Sequence, residues 1–181
     1  ALVPALKGCS HLEQLHLSNN PSITTRGLQS LASILEAPNY NLTSLDVSRN
    51  NVDDEAAAAF ASALVNYHKL YTMDLRYNSS MTAKGWEALS KTLCNTSSVN
   101  STFLSNHTLW NVTHLLEPDE IIRPLLQLNA RIDKKEVATI KILQSHEDFN
   151  MQPFFEWEFK VLPLVVSWLE RASACEMPEN F

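Results

Sequence analysis

The stretch LEQLHLSNN, residues 12–20, carries the pattern that decides the fold. Leucines alternate with polar residues, which suggests a short strand with one buried face, and an asparagine ends the pattern at Asn20. The stretch recurs as LTSLDVSRN at 42–50, LYTMDLRYN at 70–78 and, more weakly, VNSTFLSNH at 99–107. The last residues of these four copies are 30, 28 and 29 residues apart. A fixed period of this length indicates stacked structural repeats.

Between the copies, apolar residues fall at helical spacing. They are Leu28, Leu31 and Leu35 after the first copy, Phe60 and Leu64 after the second, and Trp86, Leu89 and Leu93 after the third. A small residue occupies a matching place just before each of these helices, at Gly27, Ala56 and Gly85. Each period therefore predicts one strand followed by one helix.

The pattern L-x-x-L-x-L-x-x-N resembles the leucine-rich repeat of the ribonuclease-inhibitor type, over roughly residues 1–107. The resemblance implies an α/β solenoid with parallel strands on its concave face and helices on its convex face. The fourth copy has Thr102 for a leucine and His107 for the asparagine, so we expect it to close the array. We assign residues 1–109 to about four repeats. Leu2 and Leu6 precede the first copy as part of a helix would, so we expect an incomplete N-terminal repeat.

The asparagine that ends each copy has a structural explanation. Where a repeat turns inward at the end of its strand, backbone N–H and C=O groups are buried without partners in the sheet. Unpaired buried backbone groups are costly, and a short amide side chain can bind them. We therefore expect Asn20, Asn50 and Asn78 to form a structural ladder along this turn.

Residues 110–181 lack the period and are predicted to be all helical. Pro118 and Asp119 are typical of a helix start, Pro124 should kink or end the first turn, and Asp133 with Glu136 resembles a capping box. A last helix is expected from about 153 to 172, with aromatic residues that include Trp157 and Trp168 on apolar faces. These helices either cap the array or dock onto another protein.

Composition excludes several classes of function. The apolar fraction of 45% and charged fraction of 19% are those of an ordinary folded protein, and the net charge of −6 argues against a nucleic-acid partner. The longest apolar run, residues 161–169, contains Pro163 and is too short for membrane insertion. Glycine-rich phosphate loops and spaced metal ligands are absent, so we predict no cofactor, no metal site and no enzyme activity.

Cysteines and asparagines favour different compartments. The three cysteines, Cys9, Cys94 and Cys175, are far apart and form no disulfide or zinc framework, which favours the reducing cytoplasm. Six N-x-[ST] sequons leave a secreted or cell-surface protein as the alternative. They begin at Asn41, Asn78, Asn95, Asn100, Asn106 and Asn111.

Polar side chains between the leucines should share the concave face. The candidate protein-binding residues are Gln14, His16, Asp46, Arg49, Asp74, Arg76, Tyr77 and Phe103. Asp46 and Asp74 should be neighbours on adjacent strands, and two carboxylates favour a basic patch on the partner. An open, wet surface with arginines nearby disfavours acid–base catalysis.

We therefore expect a protein-interaction scaffold that binds a macromolecule through the concave face. A plain solvated sheet face remains open, as does docking through the aromatic tail helix. So does a structural end piece of a longer array whose binding surface lies upstream.

Overall fold

The computed structural model describes residues 5–6, 9, 11–37, 40–114 and 119–146. Strands in this part of the chain are β1 (Gln14–His16), β2 (Ser44–Asp46), β3 (Thr72–Asp74) and β4 (Asn111–Thr113). Helices there are α1 (Thr25–Ala32), α2 (Asp54–Asn66), α3 (Ala83–Leu93), α4 (Val99–Phe103), α5 (Asp119–Asn129) and α6 (Lys134–Ser145). Strands and helices alternate from β1 to α3, so each of the first three repeats supplies one of each.

The strands form one parallel sheet in which each strand pairs with the next along the chain. Leu45 and Met73, at the centres of β2 and β3, are each only 1% exposed, and Val112 of β4 lies in register beside Met73. Neighbouring residues along each strand are more exposed, because alternate side chains point to opposite faces. The predicted mixed α/β class with parallel strands is confirmed.

Helices α1, α2 and α3 pack side by side, and their buried residues join those of the strands in one core. Phe60 and Leu64 of α2 are fully buried. Leu35, expected in the first helix, lies beyond the end of that helix and is still buried. Buried alanines on α2 allow the neighbouring helices to approach it closely. The apolar residues that recur at helical spacing in the sequence lie on the core-facing side of their helices.

Carboxylates join the helix starts of consecutive repeats. Asp53 caps α2 by accepting a hydrogen bond from the N–H of Ala56 at 2.9 Å, and it also accepts one from the hydroxyl of Thr25 in the preceding repeat. Asp54 accepts hydrogen bonds from the N–H and the hydroxyl of Thr82 in the next repeat, at 2.7 and 2.6 Å. These bonds from Thr82 hold the pKa of Asp54 below its usual range.

The asparagines that end the three strong copies form a hydrogen-bonded chain. Nδ2 of Asn50 donates to the carbonyl oxygens of Leu17 at 2.9 Å and Ser48 at 3.0 Å. Oδ1 of Asn50 accepts the N–H of Asn20, and Oδ1 of Asn78 accepts the N–H of Asn50, both at 3.1 Å. The amides of Asn50 and Asn78 thus join the backbone of two repeats, whereas that of Asn20 donates to Leu17 and Ser18 of its own repeat.

The prediction of a fourth strand within residues 99–107 is wrong. Val99–Phe103 forms the short helix α4, and the fourth strand is β4. The hydroxyl of Ser98 accepts the N–H of Ser101 at 3.0 Å, and such a cap favours helix over strand. The central residues of successive strands are therefore 30, 28 and 39 residues apart. Strand β4 lies beyond the predicted end of the array at residue 109, so the prediction that residues 110–181 are all helical is wrong at Asn111–Thr113.

Two helices follow β4 in the described part, as expected. Pro124 lies inside α5. Asp133 caps α6 by accepting the N–H of Glu136 at 3.2 Å, but the Glu136 carboxylate binds Arg131 at 2.6 Å rather than completing the capping box. The described helices include none that is long and apolar enough to cross a membrane.

Two sequence predictions fall outside the described residues. They concern the tail helix at 153–172 and the position of Leu2 in an N-terminal helix.

We expect Asn50→Ala to lower the free energy of unfolding by about 1–3 kcal/mol, because it removes hydrogen bonds from buried backbone groups. Chemical denaturation monitored by circular dichroism measures the loss. Asn66→Ala, which removes the exposed amide at the end of α2, is the matched control and should change stability by less than about 0.5 kcal/mol. Equal losses in both variants would contradict the structural role of Asn50.

Two glycines at equivalent places in their repeats should respond differently to alanine. A Cβ on Gly85 would lie 2.9 Å from both Oδ1 of Asp54 and Cγ of Met81, whereas the nearest atom to one on Gly27 is a side-chain methyl carbon at 3.1 Å. We expect Gly85→Ala to cost about 1–3 kcal/mol through overpacking. Gly27→Ala should be neutral or stabilising, because alanine favours the helix. Thermal unfolding distinguishes the two, and equal midpoints would contradict the packing argument.

Candidate functional site: the exposed strand face

The exposed side of the sheet carries two rows of polar side chains, which we call the strand face. The strand face consists of Gln14, Ser44, Thr72 and Asn111 in one row and His16, Asp46, Asp74 and Thr113 in the other. Rows arise because the parallel strands are in register, so equivalent residues of successive repeats are neighbours. Within the first row, the hydroxyl of Thr72 donates to the hydroxyl oxygen of Ser44 at 2.9 Å.

Asp74 and Arg76 form a two-pronged ion pair at the end of β3. Nη2 of Arg76 lies 2.6 Å from Oδ2 of Asp74, and Nε lies 3.0 Å from both carboxylate oxygens. The backbone N–H of Arg76 also donates to Oδ1 at 3.0 Å. The Asp74 side chain is 15% exposed and that of Arg76 is 47% exposed. Asp74 thus holds the guanidinium in one position at the surface.

Asp46 has a different partner, although it lies beside Asp74 in register. Its Oδ1 accepts the N–H of Ser48 at 2.9 Å, and its Oδ2 lies 3.7 Å from Nδ1 of His16. Burial by itself would raise the pKa of Asp46, but the hydrogen bonds from Ser48 and the neighbouring His16 outweigh it and hold the pKa below its usual range. Asp46 is therefore a carboxylate in neutral solution and not a proton donor.

Arg49 and Tyr77 occupy equivalent positions, directly before the ladder asparagines of two adjacent repeats. Both residues have a left-handed backbone, with φ of 53° and 59°, and so does Asn19 of the first repeat at 60°. The guanidinium carbon of Arg49 lies 4.2 Å from the centroid of the Tyr77 ring, which is a cation–π contact. Tyr77 remains 53% exposed, so the pair presents a cation and an aromatic ring together.

A recess of about 400 Å³ opens beside Tyr77. Leu75, Met81 and Trp86 are among its apolar lining residues, and the ring centroids of Trp86 and His114 are 4.7 Å apart. Apolar side chains of a partner could enter such a recess while polar groups bind at its rim.

Two exposed aromatic residues escaped the sequence analysis. Tyr71 and Trp110 directly precede β3 and β4 and are each 43% exposed. The N–H of Trp110 donates to the carbonyl oxygen of Tyr71 at 3.1 Å, so the two residues are neighbours at the edge of the sheet. The available signal was the sequence Leu109-Trp110-Asn111-Val112, which repeats the spacing of the earlier strands but outside the 28–30-residue period.

The predicted binding residues are gathered at the strand face with one exception. Gln14, His16, Asp46 and Asp74 lie on it, and Arg49, Arg76 and Tyr77 lie at the ends of the strands. The assignment of Phe103 to this surface is wrong, because Phe103 belongs to α4. Within the described ranges there is no cluster of three or more side chains that could hold a metal ion.

Comparisons with known proteins agree with the repeat pattern. A family model described as "Leucine Rich repeat" matches residues 8–32 and 39–61, about a quarter of the chain. These two segments therefore match leucine-rich repeats in sequence. No curated protein matches it in sequence.

The fold is shared with a solved structure. A structure titled "Leiomodin-1 Actin-Binding Site 2" is 19% identical, with a TM-score of 0.53, over 82% of this chain and 95% of the other. The tropomodulin C-terminal domain of Caenorhabditis elegans is 10% identical, with a TM-score of 0.48, over 85% and 99% of the two chains.

Asp46→Asn should destabilise the protein at pH 7 but not at strongly acidic pH. Because the folded protein lowers the pKa of Asp46 from its usual 3.8, the ionised carboxylate stabilises the fold above about pH 4, and this contribution is lost as the pH falls further. We expect a melting temperature lower by about 2 °C at pH 7, with the difference vanishing toward pH 2. Glu36→Gln, at an exposed site after α1, is the control. A difference that persists unchanged into acid would show that Asp46 acts through something other than its charge.

Proposed function

We propose that this chain is a non-catalytic protein-binding module that recognises a protein partner through the strand face and its rim. The observation that carries the proposal is the exposed, prepositioned set of Arg76, Arg49 and Tyr77 beside two carboxylates. Arginine and aromatic side chains most often dominate binding energy at protein interfaces, because they combine large contact area with directed polar groups.

Charge gives this surface a preference for certain partners. The Arg76 guanidinium forms a direct ion pair with Asp74 at 2.6 Å, whereas Asp46 lies 3.7 Å from the exposed His16 imidazole and interacts with Arg76 more weakly. Asp46 is therefore the better receptor for a lysine or arginine of the partner, and Arg76 is placed to bind a carboxylate or a backbone carbonyl. Such contacts steer association and weaken as salt rises.

The same features support the absence of enzyme activity. Asp46 and Asp74 are neighbours, but each carboxylate is engaged by its own partner, so the pair lacks the shared proton of acid–base catalysis.

The proposal includes the architecture of the binding module. We place the repeats in the ribonuclease-inhibitor-like class, because a helix accompanies each strand over periods of 28–30 residues from β1 to β3. In this view the sheet lines the concave side of a solenoid, and α5 and α6 cover its C-terminal end. The alternative, an end piece whose binding surface lies upstream, is decided by the experiment below.

We place the protein in a reducing compartment. Asn106 is fully buried, and Nδ2 of Asn78 donates within the ladder, so neither sequon suits a glycan. Cys9 and Cys94 are free thiols.

We expect Asp74→Ala and Arg76→Ala each to weaken partner binding by about 1–2 kcal/mol, because either change breaks the ion pair that positions the guanidinium. The leiomodin structure is titled as an actin-binding site, so purified actin is the first partner to test, followed by proteins captured with the intact chain. Calorimetry measures affinity, and thermal unfolding shows that each variant is folded.

Arg26→Ala and Gln29→Ala, on α1 and away from the strand face, are the matched controls and should leave affinity unchanged. If affinity is untouched by the strand-face variants but lost with Trp157→Ala or Trp168→Ala, the tail is the docking element. If a partner needs upstream repeats and ignores both sets, the end-piece alternative holds.

A further inference from the structure

A buried lysine lies at the centre of a polar cluster that the binding function does not use. Lys141 of α6 is 1% exposed, and its Nζ donates to the carbonyl oxygen of Leu93 at 2.6 Å and to Oδ1 of Asn129 at 2.7 Å. Nζ also lies 3.2 Å from Nδ1 of His107 and 3.3 Å from the carbonyl oxygen of Asn106. We call Asn106, His107, Asn129 and Lys141 the lysine cluster. Through the carbonyl oxygen of Leu93, the lysine cluster joins the end of α3 to α5 and α6.

The hydrogen bonds of His107 define its protonation state. Nε2 lies 2.9 Å from the carbonyl oxygen of Phe103, which can only accept, so Nε2 carries the ring proton. Nδ1 then receives the hydrogen bond from the ammonium group of Lys141. The neutral imidazole is therefore the form that completes the cluster, and a second proton on Nδ1 would remove an acceptor.

We propose that the hydrogen bond between His107 and Lys141 is an acid-sensitive latch that holds α6 against the repeats and opens when His107 is protonated. Protonation turns the bond into a contact between two cations about 3 Å apart. The other titratable groups that face the pair within the described residues are Cys94, His68 and Lys134, and none is a carboxylic acid that could offset the added charge. Movement of α6, which carries Lys141, away from His107 relieves the repulsion between the two cations.

The direction of the pH effect follows from linkage. Burial, reinforced by the charge of Lys141, lowers the pKa of His107 from 6.5 to about 4. Burial lowers the pKa of Lys141 to about 8, so the amine still carries its proton at pH 5–7. Because the folded pKa of His107 is lowered, the open state binds more protons between pH 6.5 and 4, and the latch weakens as the pH falls through this interval. The opening equilibrium should rise roughly thirtyfold from pH 7.5 to pH 5.

Two measurements on the full chain test the latch. Hydrogen exchange of residues 134–145, corrected for the intrinsic effect of pH on exchange, should show the roughly thirtyfold rise in opening. His107→Asn places an amide oxygen near the position of Nδ1 and cannot be protonated, so its opening should change less than threefold over the same interval. His11→Asn, at an exposed histidine, is the control and should behave like the wild type.

If His107→Asn does not fold, NMR titration of the histidine side chains in the wild type still tests the proposal. Native His107 should remain neutral down to about pH 4 with Nε2 protonated. The proposal is overturned if His107 titrates near pH 6.5 while α6 stays protected. It is equally overturned if His107→Asn opens in acid as the wild type does.

Discussion

The satisfaction of backbone groups at the inward turn is the constraint on which the repeats depend. Backbone hydrogen bonds between repeats continue past the three-residue strands as far as Asn19 and Arg49, and beyond them the turn leaves partly buried N–H and C=O groups without partners in the sheet. A single amide can satisfy several backbone groups, as Asn78 shows. Its Oδ1 accepts hydrogen bonds from the N–H groups of both Asn50 and Val52. Its Nδ2 reaches the carbonyl oxygens of Val47 and Leu75. The ladder therefore joins consecutive repeats as well as closing each turn.

The same turn determines what the rim of the strand face can present. Asn19, Arg49 and Tyr77, which directly precede the ladder asparagines, have a left-handed backbone. Such a backbone costs a non-glycine residue on the order of 1 kcal/mol. The first three repeats each carry this cost, and the side chains of Arg49 and Tyr77 form a cation–π pair at the surface. The left-handed backbone at the turn thus positions the Arg49 and Tyr77 side chains, to which we assign a role in binding.

Sequence predicted the parts of the fold that follow a local period and missed those that depend on distant contacts. The strands at Leu15, Leu45 and Met73 were visible, because their spacing and apolar alternation repeat. The strand at Val112 was hidden by the insertion that contains α4, where serine capping produces a helix. Lys141 could not be recognised as buried, because a lysine in a helical pattern normally lies on the solvent side and only the folded chain supplies its acceptors.

The strand face also shows why charge alone misjudges a binding surface. From the sequence, Asp46 and Asp74 are equivalent acids that favour a basic partner. In the structure, Asp74 engages Nε and Nη2 of Arg76, so this pair offers a partner mainly the Nη1 donors. Asp46 remains the carboxylate that a cation of the partner could reach most directly, because the His16 side chain that contacts it is itself 63% exposed. Under the proposed function, a partner would present a cation to Asp46 and a hydrogen-bond acceptor to Arg76, which is a narrower requirement than a basic patch.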